Sequence, residues 1–141
     1  MKILNMSGNF FKNELHGNNC HLYNNEGQVI YKGDMILGFK EGYGKEYVYP
    51  RAHHTLEKHK RLVYSGYFEN NEKTGSNCKI FRETDGSLEY NGSLKNGKRH
   101  GYGCYLYNNG KVMFKGKYCD DEPDDMQSFK IFFHENGMIY C

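Results

Sequence analysis

Large apolar and aromatic residues recur along this chain in a fixed beat. Tyr31-Lys32-Gly33, Tyr64-Ser65-Gly66, Tyr90-Asn91-Gly92 and Phe114-Lys115-Gly116 each set a ring two residues before a glycine, and Met6-Ser7-Gly8 is a looser version. Two residues past each glycine stands another large side chain: Phe10, Met35, Phe68, Leu94 or Tyr118. A spacing of two puts ring, glycine and ring on one face of a strand. Turn signals follow at Lys12-Asn13-Glu14, Leu37-Gly38-Phe39, Asn70-Asn71-Glu72 and Asn96-Gly97-Lys98. Asn-Gly between two such runs is a strong local hairpin cue. A returning strand then holds Leu22-Tyr23, Tyr47-Val48, Ile80-Phe81 and Leu106-Tyr107. Each copy therefore reads as a β-hairpin.

The glycines keep register with the rings. A second glycine follows nine residues after the first, at Gly17, Gly42, Gly75 and Gly101, with Asp125 in that place in the last copy. Two residues on stand Asn19, Gly44, Asn77 and Gly103. Asn is the mildest replacement for Gly where φ is positive. A third glycine, Gly27, Gly86, Gly110 or Gly137, opens the return to the next copy. The first glycines are 25, 33, 26 and 24 residues apart. The long step contains an insertion over 50–61 that reads as a basic, lengthened loop, with a short helical turn over 52–62 as the alternative. The glycines of the strands predict room for neighbouring rings, which is a packing role.

This pattern resembles the MORN repeat, the membrane occupation and recognition nexus motif. The fourth copy carries it best, with Tyr90, Gly92, Gly97, His100, Gly101, Gly103, Tyr107 and Gly110, and the likeness runs from about Met6 to Tyr140. The fifth copy departs most, because acidic residues replace its Gly-x-Gly. The resemblance implies an all-β fold: a single-layer, elongated, twisted antiparallel sheet of about five consecutive hairpins with one basic loop insertion. Copies would lie near 6–30, 31–63, 64–89, 90–113 and 114–141 of one domain spanning 1–141. Corresponding strands of adjacent copies would sit roughly 10 Å apart. One hairpin buries too little to stand alone, so stacked copies share a core.

Composition narrows the rest. With 141 residues the chain suits one domain, and 19 Lys+Arg against 17 Asp+Glu leave a net charge of +2, too balanced for a dedicated nucleic-acid binder. Thirteen tyrosines supply half-polar rings in place of much of the usual aliphatic core. No apolar run is long enough to span a bilayer, and the N-terminus lacks a signal-like apolar stretch. Five cysteines without a C-x-x-C point to a reduced, cytoplasmic setting.

Catalytic chemistry, a metal and a cofactor are not expected. Cys20, Cys78 and Cys104 fall at one register position in copies one, three and four, which predicts a column of small apolar residues, too widely spaced for a disulfide. His53, His54 and His59 in the insertion read as part of a solvated loop, and His16 and His100 as structural. Asp120, Asp121, Glu122, Asp124 and Asp125 lack calcium-loop spacing. They are expected to pair with Lys95, Lys98, Arg99 and His100 on the neighbouring tip.

The expected function is that of a non-catalytic scaffold or adaptor. Its aromatic–glycine groove would hold a helical or extended segment of a larger protein, which the resemblance suggests is cytoskeletal or motor-associated. Candidate contacts are Phe10, Tyr23, Tyr31, Tyr64, Phe68, Phe81, Tyr90, Tyr107, Phe114 and Tyr118, rings that give contact area at low entropic cost. An alternative is a membrane-apposed module meeting anionic lipid through Arg51, Lys58, Lys60, Arg61, Lys95, Lys98 and Arg99. A third is a homodimer formed through open edge strands.

Overall fold

Alternating large side chains and paired turn residues lay the chain down as one sequential meander. The computed structural model describes residues 5–51, 59–124, 131–133 and 139–140. Its strands are β1 (Asn5–Ser7), β2 (Phe10–Phe11), β3 (Glu14–Leu15), β4 (Gly17–Tyr23), β5 (Val29–Ile36), β6 (Phe39–Val48) and β7 (Arg61–Glu69). There follow β8 (Glu72–Phe81), β9 (Leu88–Lys95), β10 (Lys98–Leu106), β11 (Val112–Cys119), β12 (Glu122–Pro123), β13 (Ile131–Phe133) and β14 (Ile139–Tyr140). The main sheet runs β1-β4-β5-β6-β7-β8-β9-β10-β11-β13-β14, with β12 paired to β11 and β2–β3 as a separate ribbon. The fold is all-β, one large open antiparallel sheet of consecutive hairpins.

Five hairpin tips share one turn geometry. Lys12-Asn13, Leu37-Gly38, Asn70-Asn71, Asn96-Gly97 and Asp120-Asp121 have positive φ at both residues, the type I′ arrangement whose twist matches a hairpin. The pairs that close them are Phe11↔Glu14, Ile36↔Phe39, Glu69↔Glu72, Lys95↔Lys98 and Cys119↔Glu122. The tips also dock on one another. The turn N–H groups of Gly38, Asn71, Gly97 and Asp121 donate to the carbonyls of Leu15, Lys40, Lys73 and Arg99 in the preceding hairpin, at 2.8–3.0 Å.

The core is a continuous row of side chains across the strands. Register links Met6, Leu22, Tyr31, Glu46, Tyr64, Ile80, Tyr90, Tyr105 and Phe114 in one line. Tyr31, Tyr64, Tyr90 and Phe114 are fully buried in it. Beside that row runs a row of small residues: Cys20, Gly33, Gly44 and Gly66, then Cys78, Gly92, Gly103 and Gly116. Each ring lies over these. A Cβ on Gly44 would sit 2.5 Å from Cε2 of Tyr31, and one on Gly103 the same distance from Cε2 of Tyr90. The phenol then reaches a carbonyl three residues on: Tyr31 to Asp34, Tyr64 to Tyr67 and Tyr90 to Ser93, each 2.8 Å.

Two sequence expectations are corrected by the register. Cys104 does not share the column of Cys20 and Cys78. Those two are buried and face Gly33 and Gly92, whereas Cys104 is paired with Asn91 and Lys115. The cause is one extra bulged residue in β4 and in β8, where four residues (Gly17 to Cys20, Gly75 to Cys78) oppose three on the partner strand. Asn19 and Asn77 take the left-handed conformation there, at φ 61 and 58. Gly44 and Gly103, aligned with them in sequence, are needed for ring space instead. Within the 50–61 insertion, Arg61 already belongs to β7; the loop-or-helix reading rests mainly on 52–58, outside the described residues, as do His53 and His54.

Candidate functional site

The ten rings expected to line a groove divide sharply. Tyr31, Tyr64, Phe68, Tyr90, Phe114 and Tyr118 are at most 3% exposed, so these six are core and present no open contact surface. Phe68 packs edge-on against Tyr31 and Tyr64 at 5.4 and 5.1 Å, and Tyr118 does the same with Tyr90 and Phe114 at 5.5 and 5.2 Å. Burial pushes the Tyr118 hydroxyl up to about 12, despite the opposing charge of Arg99, and it raises those of Tyr31, Tyr64 and Tyr90 as well. Tyr23, Phe81 and Tyr107 are half-buried where the strands end, and Phe10 is 56% exposed. Phe68 and Tyr118 are covered by the preceding hairpin. Phe10 belongs to the first hairpin of the described residues and has no such neighbour.

Cations, which the ring pattern did not foretell, cap this core. Lys40 lies over Tyr31 and Phe68 at 5.0 and 5.4 Å, Lys73 over Tyr64 at 4.9 Å, and Arg99 over Tyr118 at 5.0 Å. Lys40 and Lys73 also clasp Glu46, the one carboxylate in the ring row, at 2.7 and 2.8 Å. Burial alone would raise the Glu46 carboxyl; Lys40 and Lys73 together outweigh it and hold it below its ordinary value. Only the register could have shown that Glu46 stands between Tyr31 and Tyr64.

The basic residues considered for lipid do not form one patch. Arg61 donates to the carbonyls of Glu83 and Thr84, and Arg99 is spent on Asp121 through its backbone N–H at 2.8 Å and its guanidinium at 3.3 Å. The expected pairing of the fourth and fifth tips is thus made by Arg99 and Asp121, with His100 Nδ1 at 3.9 Å from Asp120. Arg51 and Lys60 are exposed within the insertion, Lys95 and Lys98 at the opposite end of the strands, and Lys58 lies outside the described residues. A strand of eight or nine residues separates the two ends by roughly 26–30 Å.

The opposite face of the sheet carries its own set of rings. Tyr43, Tyr67 and Tyr102 are 45%, 49% and 69% exposed. Tyr43 and Tyr67 are cross-strand partners with centroids 5.7 Å apart, and the Tyr43 hydroxyl is 2.6 Å from Oγ of Ser65. Sequence reasoning passed over them because each falls between the residues of the repeat: Tyr43 and Tyr102 inside Gly-x-Gly, and Tyr67 between Gly66 and Phe68.

Comparison with known families matches two of the hairpins. The MORN repeat model fits residues 31–47 and 90–112. MORN repeats are in general non-catalytic modules that meet proteins or membranes. The two matches are the hairpins in which glycine faces glycine beneath a tyrosine, Gly33 with Gly44 and Gly92 with Gly103. No curated protein matches the chain. Among the described residues no helix is long and apolar enough to cross a membrane.

Proposed function

We propose that this chain is a non-catalytic scaffold that holds an extended or helical segment of a larger protein, and that it does so on the face bearing Tyr43, Tyr67 and Tyr102. The observation that carries the reading is the division of the rings. The tyrosines of the Tyr-x-Gly beat are consumed by packing, while a second set, unnecessary to the core, stands in solvent. Exposed tyrosines on a rigid sheet give large contact area with little ordering cost, the composition found at interaction hot spots. The family resemblance supports a cytoskeletal or motor-associated protein as the source of the segment.

The test is capture of partners by the whole chain and by Tyr43→Ser/Tyr67→Ser/Tyr102→Ser. The triple variant should keep the wild-type circular dichroism and melting midpoint within a few degrees and lose the specific partner. Retention of that partner by a folded triple variant would refute this surface.

A further inference from the structure

One line of register on the outer face runs through cations. His21 pairs with Lys32, Lys32 with Lys45, Lys45 with Ser65 and Ser65 with Lys79. Lys79 pairs with Asn91, Asn91 with Cys104 and Cys104 with Lys115. Four lysines, with exposed Asn91 and buried Ser65 between them, the latter covered by the Tyr43 hydroxyl, therefore stand in single file across seven neighbouring strands, β5 to β11. Lys32, Lys79 and Lys115 are exposed and Lys45 half-buried, and none of the four forms an ion pair among the described residues. Nearby carboxylates are otherwise engaged. Asp34 accepts from the Tyr43 N–H, Glu89 from the Tyr105 hydroxyl, and Asp124 lies 4.0 Å from Lys117.

We infer that this file is a binding track for an acidic, extended polypeptide segment laid across the strands, flanked by Tyr43, Tyr67 and Tyr102. The inference rests on the scaffold reading and names the chemistry of the segment held. Six strand spacings from Lys32 to Lys115 make roughly 29 Å, the reach of about nine extended residues. Like charges held in a row with no carboxylate in ion-pair contact repel one another, and an anionic chain following the row relieves this at every lysine. A flat bilayer fits less well. Neighbouring strands of a sheet rotate by about 20–25°, so the outward direction turns by roughly 120–150° along the file, which a flexible chain follows and a plane does not. Single-stranded nucleic acid fits less well also, because Tyr43 is tied to Ser65 and meets Tyr67 edge-on, which leaves Tyr102 as the one open ring of the three, short of the successive stacking platforms such a strand uses.

The experiment measures fluorescence anisotropy of a labelled decapeptide of alternating Glu and Gly with the full chain at low salt. Its comparison probes are the matching Lys–Gly peptide, a uridine decamer and vesicles with anionic lipid. Lys32→Gln/Lys45→Gln/Lys79→Gln/Lys115→Gln should weaken acidic-peptide binding tenfold or more. A charge-matched control, Lys60→Gln/Lys95→Gln/Lys98→Gln/Lys111→Gln, should change it less than twofold. Absence of binding by the wild type, or equal loss in both quadruple variants, overturns the track. Tighter, file-dependent binding of the uridine decamer or of the vesicles overturns the assignment to a polypeptide. If the file variant keeps the cellular partner that the tyrosine variant loses, the acidic-segment inference fails while the scaffold reading stands.

Discussion

The hairpins around Tyr31 and Tyr90 and those around Met6 and Tyr64 meet the same requirement in different ways. In the first pair, glycine faces glycine beneath a tyrosine, and the strands need no left-handed residue besides Gly42 and Gly101. In the second, a cysteine replaces one glycine, and a bulge with a left-handed asparagine moves the strand enough to admit its sulfur. Around Tyr64 the exchange adds a contact: the phenol lies 3.3 Å from Sγ of Cys78. The family model matches the first pair and passes over the second. What the hairpins of Tyr31, Tyr64 and Tyr90 share is a shape, a small group under a ring, rather than a fixed string of residues.

The strongest way to break the comparison is to fill the space under a ring. Gly44→Ala and Gly103→Ala should each lose about 2–4 kcal/mol in chemical denaturation, since the new methyl meets a buried ring and not a flexible chain end. A loss under about 0.5 kcal/mol would mean the glycines serve only the backbone. Next comes the carboxylate that hairpin two places in the ring row. Glu46→Gln leaves Lys40 and Lys73 facing each other across a half-buried site and should cost roughly 1–2 kcal/mol. Because Glu46 titrates below its ordinary 4.5 in the folded chain, its stabilisation is complete above that value and drains away as acid passes below it. The wild type should therefore lose more stability than Glu46→Gln on acidification below about pH 4.5, the unfolded-chain value; parallel acid limbs would show that the carboxylate carries no such linkage.

The bulge is a subtler target. Asn77→Ala, at φ 58, should cost about 1 kcal/mol, whereas Asn77→Gly should be neutral or slightly stabilising, read as shifts in the denaturation midpoint. Smallest is the fifth tip. Asp121→Asn keeps an acceptor for the Arg99 N–H and removes only a part-exposed charge, so a change within about 0.5 kcal/mol is expected by the same measurement.

Much of the fold was legible because its signals are local. The Tyr-x-Gly spacing, the Asn-Gly tip and the large residue two positions on all lie within one hairpin, and they gave the strands and most turns. Asp120-Asp121 carries no turn signal of its own and is placed at a tip only by its position in the repeat, although its backbone is the same. The site was far less legible. Tyr31, Tyr64 and Tyr90 look like contact rings in sequence, because what covers them comes from other strands: Phe68 and Lys40 over Tyr31, Lys73 over Tyr64 and Tyr118 over Tyr90. Equal counting from Gly17, Gly75 and Gly101 put Cys20, Cys78 and Cys104 in one column; a single bulged residue undoes that. The lysine file is invisible along the chain, since its successive lysines are 13, 34 and 36 residues apart and line up only across strands.

The turn-to-carbonyl contacts give the array a polarity. Each of the three middle hairpins offers an acceptor forward and a donor backward, so growth or shortening repeats a junction already in use. Yet the junctions come in two kinds. Asn71 and Asp121 return a side-chain oxygen to the N–H groups of Lys40 and Arg99, while Gly38 and Gly97 have none to return. The true module is then a doublet, and evolution or an engineer should find it easier to splice hairpins in twos than singly.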